Sequence, residues 1–257
     1  MRALPVLASW VVLLLSSLAT ASDRPERVIS LDLCSDWLLA HYAEPSQILA
    51  LSPLSASYQG PIDTSRFALH DGSLEQLISL NPDLIVVGQY NAWLLRERLT
   101  ALGYPVKILA LPQTLPAVDD QNATLLSWLA PTQQYEPQYQ PAPPLAEDAP
   151  KLLKLGSNGI ATGLDTFENQ LLEQVGFRNY SAHSGYQAID LEAIIASPPE
   201  RLLIAAPQSP ALANLVFEHP LWEQLLSPQQ IYTSDDWRWQ CPGPWTFELI
   251  EELRAWH

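Results

Sequence analysis

Two stretches of this 257-residue chain superimpose at a constant offset, and that repeat constrains the fold more than any other feature. Leu74-Glu75-Gln76-Leu77-Ile78, the Pro82-Asp83 pair and the run to Val87 align with Leu191-Glu192-Ala193-Ile194-Ile195, Pro199-Glu200 and the run to Ile204, 191 − 74 = 117 positions on. Leu, Glu, Ile and Pro coincide, an acid follows the proline in both, and an apolar run follows the acid. Each block reads as a short helix, a proline that ends it and a buried strand. One such unit cannot bury its own apolar faces, so the duplication predicts two similar α/β lobes.

The rest of the chain fits that grammar. Strands are expected at Arg27–Leu33, Ile48–Leu51, Asp83–Gly88 and Val106–Leu111. Helices are expected at Ser35–Tyr42, from a capping box at Ser73-Leu74-Glu75-Gln76 to Asn81-Pro82, and at Ala92–Leu102. Residues 52–69, rich in Pro, Ser and Gly, read as an irregular loop. Beyond residue 150, strands at Lys151–Leu155, Arg201–Ala205 and Gln230–Thr233 alternate with helices at Asp165–Val175 (capped by Asp165), Asp190–Ala196, Pro220–Leu226 and Pro244–Trp256. Between the halves, a helix over Asp119–Ala130, capped by Asp119 or Asp120, leads into a strap from Pro131 to Pro150. Its six prolines forbid a continuous helix. The expected organisation is a signal segment at 1–21, an N-terminal α/β lobe at 22–111, a connector at 112–150 and a C-terminal lobe at 151–257. That makes two Rossmann-like lobes, their central sheets flanked by helices, with a ligand cleft between them at the strand ends.

Met1-Arg2, the apolar run Ala3 to Leu18 and the small-x-small Ala19-Thr20-Ala21 have the pattern of a secretory signal cleaved after Ala21, which predicts export to the periplasm. The 13 basic side chains stand against 28 acidic ones, a formal charge of −15, which argues against a surface that holds nucleic acid. Cys34 and Cys241 are the only cysteines. They either bridge or remain two separate buried thiols, and export favours the bridge.

Catalytic signatures are missing: the sequence has no G-x-S-x-G, P-loop, G-x-G-x-x-G or H-E-x-x-H, and no enzymatic activity or resident cofactor is expected. Of the five histidines, His219 reads as a helix-start residue and His257 is terminal. His70 and His183 lie in loops ahead of the repeated helices and either face the cleft or are simply exposed. A zinc or manganese receptor would need both of them to meet an acid. The aromatic residues are more informative. Trp237-Arg238-Trp239 and Trp245 share one loop after the last strand; Trp245 reads as core, while Trp237 and Trp239 are candidates for the cleft. Tyr58, Tyr90 and Tyr186 hold comparable loop positions, and flat rings with one polar handle suit a large planar or bulky neutral ligand.

RVISLDLCSDWLL (27–39), GSLEQLISLNPDLIVV (72–87), IDLEAIIASPPERLLI (189–204), HPLWEQL (219–225) and a tryptophan-rich loop entering a closing helix appear in that order. The pattern resembles the class III periplasmic binding proteins that deliver ferric siderophores and cobalamin to ABC importers. The resemblance implies a monomeric receptor with no catalytic role and little lobe movement. Its partners would be a small-molecule ligand and the permease subunits of an importer. It gives Glu75 and Glu192 a role in docking to arginines on the transporter; without a partner, each is a helix-start acid favoured by the helix dipole. It places ligand contacts at Tyr58, His70, Tyr90, Tyr186, Trp237 and Arg238. With few cations in these loops, a corrinoid or a neutral hydroxamate complex is favoured over an anionic catecholate siderophore. An exported enzyme or scaffold of the same fold is the remaining alternative. Two features depart from the pattern. The connecting helix is short and continues as a proline strap, which predicts a looser hinge, and a Cys34–Cys241 bridge would tie the lobes together at the cleft.

Overall fold

Asp32 ends the first strand and starts the first helix. Its backbone is extended and its carboxylate accepts the Ser35 N–H, so the expected strand is cut to β1, Val28–Ser30, and α1 runs Leu33–Tyr42. The computed structural model describes residues 24–58, 60–205, 212–234 and 237–257; the expected signal segment, 1–21, lies outside them. β2 (Ile48–Ala50) is followed by the loop, irregular apart from a 3-10 turn at Pro53–Ala56. Ser73 caps α2 (Leu74–Leu80) through the Gln76 N–H, but the box is only half formed, because Gln76 Oε1 accepts from the Asp71 N–H instead. Asn81, in the left-handed region, ends α2 ahead of Pro82. β3 (Leu84–Gly88), α3 (Trp93–Ala101) and β4 (Val106–Leu109) complete a parallel sheet of order β2-β1-β3-β4.

α4 (Leu115–Leu129) starts four residues earlier than expected. Thr114 caps it through the Ala117 N–H, and Pro116 sits in its first turn, where a missing N–H costs nothing. Asp119 is therefore no cap. It is buried within the helix, where its carboxylate accepts from the Tyr135 hydroxyl (2.6 Å) and the N–H groups of Gln138 and Tyr139 (3.0 and 2.8 Å). These bonds pin the start of the strap. Further along, Gln174 Nε2 donates to the Gln140 carbonyl and Arg178 to those of Ala146 and Glu147, so the strap is fastened to the C-terminal lobe. At 15 residues α4 is short, yet it packs Leu115 into the core of one lobe and Leu125 and Leu129 into that of the other.

The second lobe repeats the first with an insertion. β5 (Lys151–Leu155) is followed by β6 (Ile160–Thr162), α5 (Phe167–Val175), β7 (Arg178–Asn179) and β8 (Tyr186–Ala188). Then come α6 (Leu191–Ala196), β9 (Arg201–Ile204), α7 (Leu221–Leu225) and β10 (Ile231–Thr233), and finally α8 (Trp237–Gln240) and α9 (Pro244–Trp256). Thr166, not Asp165, caps α5; Asp165 itself takes a left-handed backbone. The strands β7, β5, β9 and β10 pair in parallel in the order that β2, β1, β3 and β4 show. The strands separated by 117 positions, β3 and β9, thus hold the same place in their sheets. The antiparallel pair β6 and β8 extends the second sheet beyond β5; each strand is only three residues long, too short to carry a periodicity, so the sequence did not predict it. No helix among the described residues is long and apolar enough to cross a membrane.

Candidate functional site

The carboxyl ends of β1, β3 and β4 open onto a cavity of about 460 Å³, which α8 and Pro242 close from the C-terminal lobe. Three indoles hold the two sides together. Trp37 from α1, Trp237 from α8 and Trp245 from α9 meet edge to face, with ring centres 5.6, 6.0 and 6.3 Å apart. Gly60 lies flat against Trp37, and a Cβ there would overlap the indole. Beside the rings, Cys34 and Cys241 form a disulfide with Cα atoms 5.2 Å apart, and both residues line the cavity. Tyr58 and Tyr90 stand at the opening, exposed, on the loops after β2 and β3.

Electrostatically the cavity is plain. Among the described residues no Lys, Arg or His lines it, and its one acid, Asp32, is spent on the protein. The Asp32 carboxylate accepts from the Ser35 N–H and hydroxyl and from the Gly88 N–H, at 3.1, 2.7 and 2.7 Å. Behind it, Asp36 is fully buried and accepts from the hydroxyls of Ser30, Ser52 and Ser55 and from the Ser52 N–H. Burial outweighs these donors and pushes its carboxyl up to about 6. The network anchors the turn that carries Leu54 and Tyr58 to the cavity. Gln121 Oε1, from α4, is a buried cavity-side acceptor with no hydrogen-bond partner among the described residues.

The sequence-predicted ligand residues divide into three groups. Tyr58, Tyr90 and Trp237 come together in the cavity. His70 does not reach it. His70 is buried, with Nε2–H donating to the Ser30 carbonyl at 2.8 Å and Nδ1 accepting the Gly72 N–H at 3.0 Å. Both nitrogens fasten backbone, and burial holds the ring's pKa below its usual value. Arg238 pairs with Glu252 on α9 and does not line the cavity. Tyr186 and Trp239 belong to a second pocket, of about 190 Å³, on the C-terminal lobe. Trp239 is buried, and its Nε1–H donates to Ser234 Oγ at 3.0 Å. Glu75 and Glu192 are exposed in the first turns of α2 and α6, as equivalent helix-start acids. His183 is exposed, and among the described residues no three His, Cys, Asp or Glu side chains are placed together to hold a metal ion.

Sequence reasoning missed Trp37, Gln89, Asn91, Gln121 and Gln240 as cavity residues. Gln89 and Asn91 flank Tyr90 directly after a predicted strand, so the strand-end rule could have found them. Trp37, Gln121 and Gln240 sit on helices, and nothing in their spacing marks which face meets the other lobe.

No protein-family model and no curated protein sequence matches this chain. Solved structures do. One described as a possible iron-binding periplasmic solute-binding protein from Staphylococcus epidermidis aligns over 91% of this chain and 98% of its own, with a TM-score of 0.69 and 18% identity. The fold is that of the class III periplasmic binding proteins. A periplasmic heme-binding protein of Vibrio cholerae shares this two-lobe fold at TM-score 0.66 and 15% identity, covering 91% of this chain and 98% of that one. A periplasmic vitamin B12-binding protein of the same organism shares it at 0.62 and 16%, covering 90% and 96%.

Proposed function

We propose that this protein is a periplasmic receptor, acting as a monomer without enzymatic activity, that captures a corrinoid or a neutral ferric siderophore and presents it to an ABC importer. One observation carries the ligand class: a cavity walled by Trp37, Trp237, Tyr58 and Tyr90 and, among the described residues, lined by no cation. An anionic ligand entering it would give up hydration with no opposite charge to replace it. A catecholate complex carries several negative charges and heme carries two carboxylates, so both fit this lining less well than a corrinoid or a hydroxamate complex. The size lies in the range of small-molecule sites, and the rings offer flat apolar surface with hydroxyl handles. Glu75 and Glu192, exposed at equivalent helix starts, are the docking acids in this reading, steering an acidic protein toward a basic permease rim.

The test is calorimetric titration of the mature chain with cyanocobalamin, ferrichrome, hemin and ferric enterobactin. Cyanocobalamin or ferrichrome is expected to bind at micromolar concentration or below, and the two anionic ligands at least tenfold more weakly. Tight binding of enterobactin or hemin, with no heat from the neutral pair, would overturn the assignment.

A further inference from the structure

The 190 Å³ pocket opens beside the main cavity, with Gln240 in the wall of both. α8 divides them: Trp237 faces the cavity and Trp239, two residues on, faces the pocket. Lys154, from β5, lies in the pocket wall and is 3% exposed. Its Nζ sits 3.3 Å from Thr162 Oγ1, 3.8 Å from Glu168 Oε1 and 4.7 Å from the centre of the Trp239 ring. Glu168 Oε2 accepts the Tyr186 hydroxyl at 2.7 Å.

Hydrogen-bond capacity is left over. An ammonium has three N–H donors, and among the described residues only Thr162 Oγ1 lies within bonding distance of this one. The 3.8 Å separation from Glu168 Oε1 is an ion pair without a hydrogen bond, so that oxygen keeps accepting capacity. Burial pushes the Lys154 ammonium's pKa down and Glu168 opposes the shift. A buried pair of this kind contributes little to stability compared with apolar packing, and the fold does not demand it, since β1, the equivalent strand of the other lobe, is Val28-Ile29-Ser30.

A donor and an acceptor side by side, with opposite charges that cancel, match a group that is itself neutral and carries one acceptor beside one donor. A carboxylate would meet Glu168 as a like charge, and an ammonium would meet Lys154. We propose that this pocket is a subsite for a primary carboxamide arm of the ligand held in the main cavity, Lys154 donating to the amide carbonyl and Glu168 accepting from the amide N–H. The inference rests on the reading of the cavity as a site for an uncharged ligand, and it narrows that class to compounds with primary amide arms, as a corrinoid has.

Protein labelled with ¹⁵N at the tryptophan indoles tests the subsite directly, because Trp239 walls the pocket. Propionamide at millimolar concentration is expected to shift the Trp239 indole resonance saturably, with propionate producing at least a fivefold smaller response. The paired variant Lys154→Met with Glu168→Gln, which removes both charges and preserves volume, is expected to abolish the propionamide response and to weaken cyanocobalamin at least tenfold. An equal or stronger response to propionate, no response to propionamide, or an undiminished response in the paired variant each overturns the subsite, and the wild-type comparison needs no variant to fold. A Trp239 response to propionamide in a protein that binds neither cyanocobalamin nor ferrichrome would support the subsite and overturn the reading of the main cavity.

Discussion

The two lobes build the same four parallel strands in the same order and finish them differently at the cleft. In the N-terminal lobe, β1 runs into Asp32, whose carboxylate is consumed by two backbone N–H groups and one hydroxyl. That face presents neutral rings and amides. In the C-terminal lobe the insertion of β6 and β8 brings Thr162 and Tyr186 over the end of β5, where Lys154 and Glu168 form a buried charge pair. The shared strands set the architecture, while the segment leaving each strand sets the chemistry. One face is suited to stacking on a flat surface, and the other to gripping a polar arm.

The largest expected effect comes from separating the two faces. Replacing Cys34 and Cys241 by Ala opens a loop of sequence separation 207 and is expected to cost about 4–5 kcal/mol in the chain-entropy model. Urea denaturation would show it as a lower midpoint, absent if the indole cluster alone holds the lobes. Next is Lys154→Met. Leaving Glu168 buried without its cation is expected to cost about 3–5 kcal/mol, whereas pairing it with Glu168→Gln should recover most of the loss. A paired variant as unstable as the single one would mean that the ion pair is a structural requirement of that face.

The N-terminal face has its own titration. Asp36, the fourth residue of α1, is held at about 6 against an ordinary carboxyl value of 3.8, whereas the fourth residue of α5 is Gln170, which does not titrate. The folded chain binds the Asp36 proton more tightly than the unfolded chain does. Its contribution is therefore most favourable below about pH 4 and is lost as the pH rises through 6. Relative to Asp36→Asn, the wild type is expected to lose up to about 3 kcal/mol of stability between pH 4 and pH 7, measured by denaturant midpoints across that range. A flat difference would show that the serine donors, and not burial, control this group. The smallest effects belong to the outer surface, where the lobes are most alike. Glu75→Arg with Glu192→Arg is expected to change stability by less than about 0.5 kcal/mol and ligand affinity by less than about threefold, while abolishing stimulation of the importer's ATPase. Full stimulation by that variant would remove the docking role.

Much of the fold was legible because it depends on local chemistry. The 117-residue repeat, the apolar runs of β3 and β9 and the proline stops act within a few residues of each other, and β3 and β9 duly hold equivalent places in their sheets. Caps were less legible. Asp119 and Asp165 have the side chains of N-caps, yet Thr114 and Thr166 do the capping, because several candidates lie within one or two turns and tertiary packing chooses among them. Strands of two or three residues, such as β6, β7 and β8, carry no periodicity and exist because a neighbouring edge accepts them.

The sequence by itself determined that there would be two α/β lobes, a cleft at their strand ends and aromatic residues in the cleft loops, since those arise from hydrophobic period and punctuation. Only the tertiary structure decided which side chains face one another across that cleft. Trp37 from the first helix meets Trp237 and Trp245 from the last two, Arg238 is diverted to Glu252, and Lys154 is buried against Glu168. Each of these depends on the rotation and register of one lobe against the other, a geometry set by packing between residues as much as 208 positions apart, 245 − 37 = 208, and written in no local pattern.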